Sequence, residues 1–181
     1  MAALEIALKS PSSFYKKSFL DGLEEMTTSS DRLSWIYLGD NGSPELPKND
    51  FDQFVQLLKA RETDVPAPGW VRDSTYWAIS ENEVVGRIAI RHELNDFLKK
   101  AGGHIGYIVR PSWRNRGVAT EMLRQILAME RARSIGKLLV TCDEGNTASE
   151  KTIISNGGVL ENVIEISPER PRKMRFWIQA E

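Results

Sequence analysis

"HIGYIVRPSWRNRGVATEMLRQILAMERARSIGKLLVTCD", residues 104–143, decides how this chain folds. Its first seven residues are a near-continuous apolar run, and Pro111 stops it, because proline has no N–H to give to a sheet. Then the period changes: Ala119, Met122, Leu123, Ile126 and Leu127 fall on one stripe, which predicts a helix running to a cap at Gly136. "KLLVTCD" (137–143) is a second buried strand. Two strands joined through a helix of this length are expected to pair in parallel, with a right-handed crossover.

Working outward, "STYWAIS" (74–80) and "VVGRIAIRH" (84–92), separated by "ENE", read as a hairpin. "LNDFLKKA" is a helical turn ended by Gly102 and Gly103, and "NTASEKTIISNGG" (146–158) is a shorter helix. "VLENVIEI" and "RKMRFWIQ" supply two last strands, the second with Met174, Phe176 and Ile178 on one face. Before the hairpin, "LEIALKS" (4–10) alternates as a strand with Leu4, Ile6 and Leu8 together. Ser12 or Ser13 is placed to cap a helix through "FYKKSFLDGLEEM", and Asp50 opens another, "FDQFVQLLKARE". Residues 27–48 carry Gly, Ser, Asn and Pro and read as a loop with a short apolar insert, and "VPAPGW" (65–70) breaks the helical pattern again. The expected fold is α/β: a single mixed, mostly antiparallel sheet with a central parallel β-α-β unit and helices on both faces. The expected organisation is one domain over 1–181, with 1–72 its more variable part.

Composition narrows the function classes. Lysine and arginine number 24 against 25 acidic residues, a net charge of −1, so no global field favours nucleic acid or an anionic membrane. Cys142 is the single cysteine, which excludes an internal disulfide and a cysteine-rich zinc site, and no metal is expected. "MAALEIALKS" lacks a basic segment followed by a long apolar run, and no stretch reaches the ~20 apolar residues of a membrane span, so a cytoplasmic protein is expected.

"R-N-R-G-V-A" (114–119) puts two guanidiniums and a glycine at a helix start, where the dipole would normally favour negative side chains. The missing negative charge points to an anionic ligand. Unpaired N–H groups there carry partial positive charge, Gly117 leaves room for an anion, and Arg114 and Arg116 add forked donors. Together they describe a diphosphate cradle. A plain alternative is that Asn115 caps the helix and the arginines are solvated. No G-K-S/T occurs, which excludes a P-loop, and only Gly117 of a three-glycine dinucleotide fingerprint is present.

The spacing R/Q-x-x-G-x-G/A resembles the acetyl-CoA signature of the GNAT superfamily of N-acyltransferases. The resemblance spans about residues 74–179. The blocks "GRIAIRHELN" (86–95), "GGHIGYIVRPSWRNRGVATEML" (102–123), "TCDEGNTAS" (141–149) and "NGGVLE" (156–161) are similar to a group of its bacterial members. The resemblance implies a GNAT-like fold with acetyl-CoA as cosubstrate. Main-chain groups of Arg114, Asn115, Arg116, Gly117, Val118 and Ala119 would hold the diphosphate. Ile108, Val109 and Arg110 would pair with the pantetheine amides as an added strand, and an N–H near Ile108 would polarise the thioester carbonyl. Asn146 would contact the pantetheine arm, or cap its own helix, or both; Ser149 lies beside it.

The implied chemistry is attack of a neutral amine on a thioester. A lysine-like amine, pKa ~10.4, is mostly protonated at pH 7, a deficit of about 4–5 kcal/mol. A histidine is suited to removing that proton. His104 stands where many relatives carry a glutamate base, His92 is the second choice, and Glu93 a third; each has a plain structural alternative. Many relatives place a proton-donating tyrosine seven residues after the asparagine, but that position here is Ile153. Tyr107 and Ser149 are the remaining polar candidates, and a thiolate with pKa near ~8.5 also leaves unaided. Cys142 reads as a buried hydrophobe, and Trp70, Trp77 and Trp113 as packing or cleft walls. The expected partner is a small-molecule or peptide amine, with neither nucleic acid nor membrane, and a homodimer stays open. The alternatives are a non-catalytic acyl-CoA-binding or regulatory module and a nucleotide- or RNA-binding protein using Arg114 and Arg116.

Overall fold

The computed structural model describes residues 5–38 and 43–180. Seven strands form one sheet in the order β1-β2-β3-β4-β5-β7-β6: β1 (Ala7–Lys9), β2 (Asp73–Ser80), β3 (Glu83–Arg91), β4 (Ile105–Val109), β5 (Lys137–Asp143), β6 (Val159–Ile164) and β7 (Lys173–Gln179). Every neighbouring pair is antiparallel except β4 and β5, which run parallel. This is the mixed sheet expected of the chain. Of the expected first strand, Leu4 lies outside the described residues.

Helices cover both faces. On one, α1 (Lys16–Glu25), α2 (Ser29–Ile36), α3 (Leu46–Asn49) and α4 (Phe51–Ala60) enclose an aromatic core. Phe19 stacks between Trp35 and Trp77 at 5.3 and 4.8 Å between centroids, with Phe51 and Phe54 around it. Each such side chain contributes on the order of 1.5–3 kcal/mol on burial, so this cluster fixes the N-terminal helices to the sheet. Asp50 caps α4 by accepting the Gln53 N–H at 2.9 Å. After β3 comes α5 (Asp96–Lys100), capped by Asn95. On the other face lie α6 (Val118–Leu127), α7 (Glu130–Ile135) and α8 (Thr147–Ser155), packed on Ile88, Ile90, Ile105 and Val140.

Two elements differ from the sequence reading. Within the expected loop the apolar insert is a helix: Thr28 caps α2 by accepting the Asp31 N–H at 3.0 Å, and Trp35 and Ile36 from that helix are buried, while residues 39–42 lie outside the described ones. The long helix expected to reach 136 is broken at Met129, which is extended (φ −76°, ψ 151°). The reason lies in phase. Continuing the stripe of Met122 and Ile126 would bury Glu130, Arg133 and Ser134, whereas the break turns Ala132 into the core.

Candidate active site

The site is built where β4 and β5 part. At the foot of the pair, His104 N–H donates to Leu139 O at 2.7 Å and Leu139 N–H to His104 Nδ1 at 2.9 Å. Ile105 then opposes Val140, and no further register pair joins the two strands. Beyond this point they splay. On its other edge β4 keeps a full ladder with β3, from Ile105↔Ile90 to Val109↔Gly86. The bonded pairs of that ladder are fixed by Arg91 N–H to His104 O (2.7 Å) and Arg110 N–H to Val85 O (2.9 Å). Antiparallel pairing alternates, so Gly106, Ile108 and Arg110 turn their main-chain groups to β3, while Tyr107 and Val109 turn theirs into the split. Arg114 Nε accordingly reaches Val109 O at 3.2 Å.

The expectation at Ile108 and Arg110 is therefore corrected. Their N–H groups belong to the sheet, and Arg110 is further committed through its side chain to Glu25 (2.7 Å) and Glu83 (2.8 Å). Val109 and Tyr107 are the β4 residues whose main-chain groups turn into the split. Glu25 also accepts the Ser112 N–H at 3.0 Å, so α1 props the loop that follows β4.

That loop is a helical turn at Pro111–Trp113 followed by two left-handed residues, Asn115 (φ 61°) and Gly117 (φ 81°). α6 starts directly after Gly117, with no side chain capping it. Arg114 N–H is spent on Pro111 O, and Glu121 N–H on Gly117 O. Between them, Asn115 to Thr120 present N–H groups without a partner among the described residues. A Cβ at Gly117 would meet nothing within 4 Å, so the space above it opens outward. These residues fit a diphosphate. Asn115 does not cap α6. Arg114 lines the opening and pairs with Asp31 at 3.2 Å, whereas Arg116 lies over the Trp113 ring at 5.1 Å and is not among the lining residues.

One groove of about 1000 Å³ joins this opening to the split and continues past it to Arg91, Phe97 and Gly102. Its cations are Arg91, Arg114, Lys151, Arg170 and Lys173. Its carboxylates are Asp31 and Asp143, each already paired, with Arg114 and Lys173 respectively. Among its described lining residues the cations in excess are Arg91, Lys151 and Arg170.

The histidines lie outside it. His104 is 6% exposed, its Nδ1 lone pair is taken by Leu139 N–H, and burial followed by the Arg91 charge pushes it down to about 4. A neutral imidazole accepting at Nδ1 carries its proton on Nε2 and has no lone pair left for an amine. His92 bonds Ser74 Oγ through Nε2 at 2.9 Å, and burial lowers its pKa. Neither histidine, nor Glu93, lines the groove. The geometry does not equip His104 or His92 as the base. Tyr107 does line it, with its hydroxyl 3.5 Å from Ser149 O and its pKa raised by burial. Asn146 and Ser149 lie on the opposite wall, where Asn146 accepts the Ser149 N–H at 3.1 Å and caps α8. Cys142 also lines the groove; burial pushes its thiol up to about 11, and it stays a thiol. Ile153 is fully buried in the core.

Sequence reasoning missed the N-terminal wall of the groove, Asp31 and Ser34 on α2, and the Arg91 end. The Thr28-Ser-Ser-Asp31 spacing is a helix-start signal and would have found the first. Two arginines four residues apart in an otherwise apolar strand, Arg87 and Arg91, mark the second.

The comparisons agree with this architecture. The profile of the acetyltransferase (GNAT) domain matches residues 23–159. No curated protein sequence matches the chain. Among solved structures, the chain is similar to the microcin C7 self-immunity acetyltransferase MccE, crystallised with acetyl-CoA and AMP. Identity is 15%, coverage 97% of this chain and 92% of that one, and the TM-score 0.64. It is also similar to Mycobacterium smegmatis RimJ in complex with CoA-disulfide, at 16% identity, 98% and 83% coverage and a TM-score of 0.64. RimL, a ribosomal L7/L12 alpha-N-protein acetyltransferase, gives 17%, 96% and 90% coverage and 0.61.

Proposed function

Because the chain belongs to the GNAT acetyltransferase family, we propose that it moves an acetyl group from acetyl-CoA to the primary amine of a small molecule or peptide. The observation that carries this reading is the continuity of one groove from the uncapped start of α6 to the split between β4 and β5. That similar proteins carry acetyl-CoA or act on a protein α-amine supports it. No helix among the described residues is long and apolar enough to cross a membrane, and a cytoplasmic location goes with the reading.

In this mechanism the N–H groups of Asn115 to Thr120 hold the diphosphate, with Arg114 alongside. Main-chain groups of Tyr107 and Val109 pair with the pantetheine arm, and Val109 N–H takes the acyl carbonyl oxygen, where a fixed donor stabilises developing charge. Bound acetyl-CoA supplies an activated acyl group with a thiolate leaving group. Tyr107 hydroxyl, kept protonated by burial, hydrogen-bonds that sulfur. Asn146 and Ser149 form the facing wall of the pantetheine channel. The groove's carboxylates among the described residues are both paired and neither histidine lines it, so the amine enters already neutral, and the proton its nitrogen sheds on becoming an amide passes to the departing thiolate or to water.

One observation favours a second reading, acyl-CoA binding without turnover: fully buried Ile153 stands where the resemblance places a tyrosine acid. Thermal shift with acetyl-CoA, CoA and oligonucleotides, followed by thiol release across an amine panel, tests both. Stabilisation by acetyl-CoA with thiol release on an amine supports the transferase. Stabilisation without turnover on any amine supports the second reading, and stabilisation by oligonucleotide alone contradicts both.

A further inference from the structure

β3 turns Arg87 and Arg91 to the same side, since side chains four residues apart on a strand share a face. Arg87 is 3% exposed. It donates to Gly106 O at 3.2 Å and to Ser34 O, and its Nε is buried with no partner. Arg91 donates only through Nη1, to Gly102 O and Gly103 O, each at 3.0 Å; among the described residues its Nε and Nη2 make no hydrogen bond. Arg61, Arg87 and Arg91 surround the Tyr37 ring at 4.6, 4.1 and 5.9 Å from its centroid. Among the described residues the carboxylate in this cluster, Asp73, is committed to Arg61. Burial, reinforced by the Arg91 charge, pushes Arg87 down to about 10. Among the described residues the three arginines of this cluster, Arg61 and Arg87 buried and Arg91 half-buried, face one carboxylate, and buried cations are costly without an anion.

Gly106 gives the second observation. It sits in the middle of β4, where a glycine marks a close approach. A Cβ there would lie 3.5 Å from Arg91 Nη2 and 3.6 Å from Nη1, so a larger side chain would cover the guanidinium. With glycine, the guanidinium stays open to the groove that Arg91 and Gly106 both line.

We propose that Arg91 recognises an anion on the acceptor, and that the acceptor is an amine bearing a carboxylate, held by the free Nε–Nη2 fork. The proposal rests on the acetyltransferase reading above. Its reach is consistent with it. Val109, which takes the acyl carbonyl, lies three residues along β4 from Gly106, about 10 Å at ~3.3 Å per residue. A charge-assisted contact of ~2.8 Å and an attack distance of ~3 Å leave about 4 Å between amine and carboxylate. That span is an amino acid, or the N-terminal residue of a peptide with an acidic side chain. Polycationic amines are repelled by the same wall.

The test is thiol release from acetyl-CoA with matched acceptors: β-alanine against its amide, 4-aminobutyrate against its amide, and Asp-Phe against Asn-Phe to separate free amino acids from peptides. O-Phosphoethanolamine and spermidine complete the panel, and rates are normalised to free base. The acid of at least one pair is preferred tenfold or more in kcat/KM; Arg91→Ala brings that ratio near one, and Arg91→Lys, which keeps charge but not the fork, falls between. In parallel, glutarate is titrated calorimetrically into the CoA-loaded protein, with Arg91→Ala weakening it at least tenfold while acetyl-CoA affinity and melting temperature report an intact fold. Equal rates for acids and amides, preference for the phosphate or for spermidine, or glutarate binding indifferent to Arg91→Ala overturns the proposal. If no amine is acetylated, the transferase reading fails, and the glutarate titration alone still upholds or overturns the anion site.

Discussion

His104 Nδ1 accepts the Leu139 N–H at 2.9 Å at the foot of the β4–β5 pair. The pair stands just before the split: Ile105 opposes Val140 at the next position, and beyond it the strands part. Its pH behaviour follows from a pKa near 4 in the folded chain against about 6.5 when unfolded. The folded state holds His104 neutral, so the unfolded chain binds more protons between those values. The stabilisation is full above pH 6.5, is lost as pH falls towards 4, and amounts to about 3 kcal/mol. His104→Ala orphans the Leu139 N–H and costs roughly 1–3 kcal/mol at pH 7.5, and it flattens the acid-side loss relative to the parent. Urea unfolding of both proteins at pH 7.5, 6 and 5 checks this. An unchanged stability with abolished turnover would make His104 catalytic after all.

Arg61 and Asp73 are 3% and 1% exposed and paired through Nε at 3.0 Å and through Nη2. Asp73→Ala strands Arg61 beside Arg87 in the interior and should cost roughly 3–5 kcal/mol, the cost of breaking a buried pair. The double change Arg61→Met with Asp73→Ala should recover part of the loss. Denaturant midpoints of the three variants decide it, and a single variant as stable as the parent would refute the pairing.

Gly117→Asp places a carboxylate where the proposed cradle would hold a diphosphate. Acetyl-CoA affinity should fall at least tenfold, with a stability loss of about 1–3 kcal/mol from a non-glycine residue at φ 81°. Gly117→Ala carries the same strain without the charge and separates the two effects. Calorimetry on both variants gives the answer, and undiminished affinity in Gly117→Asp would contradict the cradle.

With no unpaired carboxylate or histidine among the groove's described lining residues, log kcat/KM should rise with slope one up to the acceptor's own pKa, near ~8 for an α-amine and ~10.4 for a lysine-like one. No inflection belongs to His92, whose pKa is lowered by burial. Profiles on two acceptors with different pKa values test this; a shared inflection near 6–7 would show a protein base.

Much of this architecture was legible because it depends on period and punctuation. Pro111 and Gly136 bracket the crossover, and apolar stripes named each strand. The uncapped start of α6 was legible too, as a charge pattern at odds with the helix dipole. What stayed hidden depends on which way groups turn. Ile108 and Val109 are alike as letters, and only the bonded Arg110–Val85 pair shows that Val109 faces the split. His104 fits a base by chemistry, and only the Leu139 contact shows its lone pair is spent. Arg91 becomes a site residue only once Gly106, from another strand, leaves its guanidinium uncovered.

The central claim is that the open start of α6 holds the diphosphate of acetyl-CoA. Following backbone amide resonances during a titration with acetyl-CoA tests it most directly. The account predicts saturable shifts that are largest at Asn115 to Thr120, with Tyr107 and Val109 moving at the same ligand concentration. Resonances in that stretch that stay still at millimolar acetyl-CoA, or shifts centred on another part of the sheet, would contradict it.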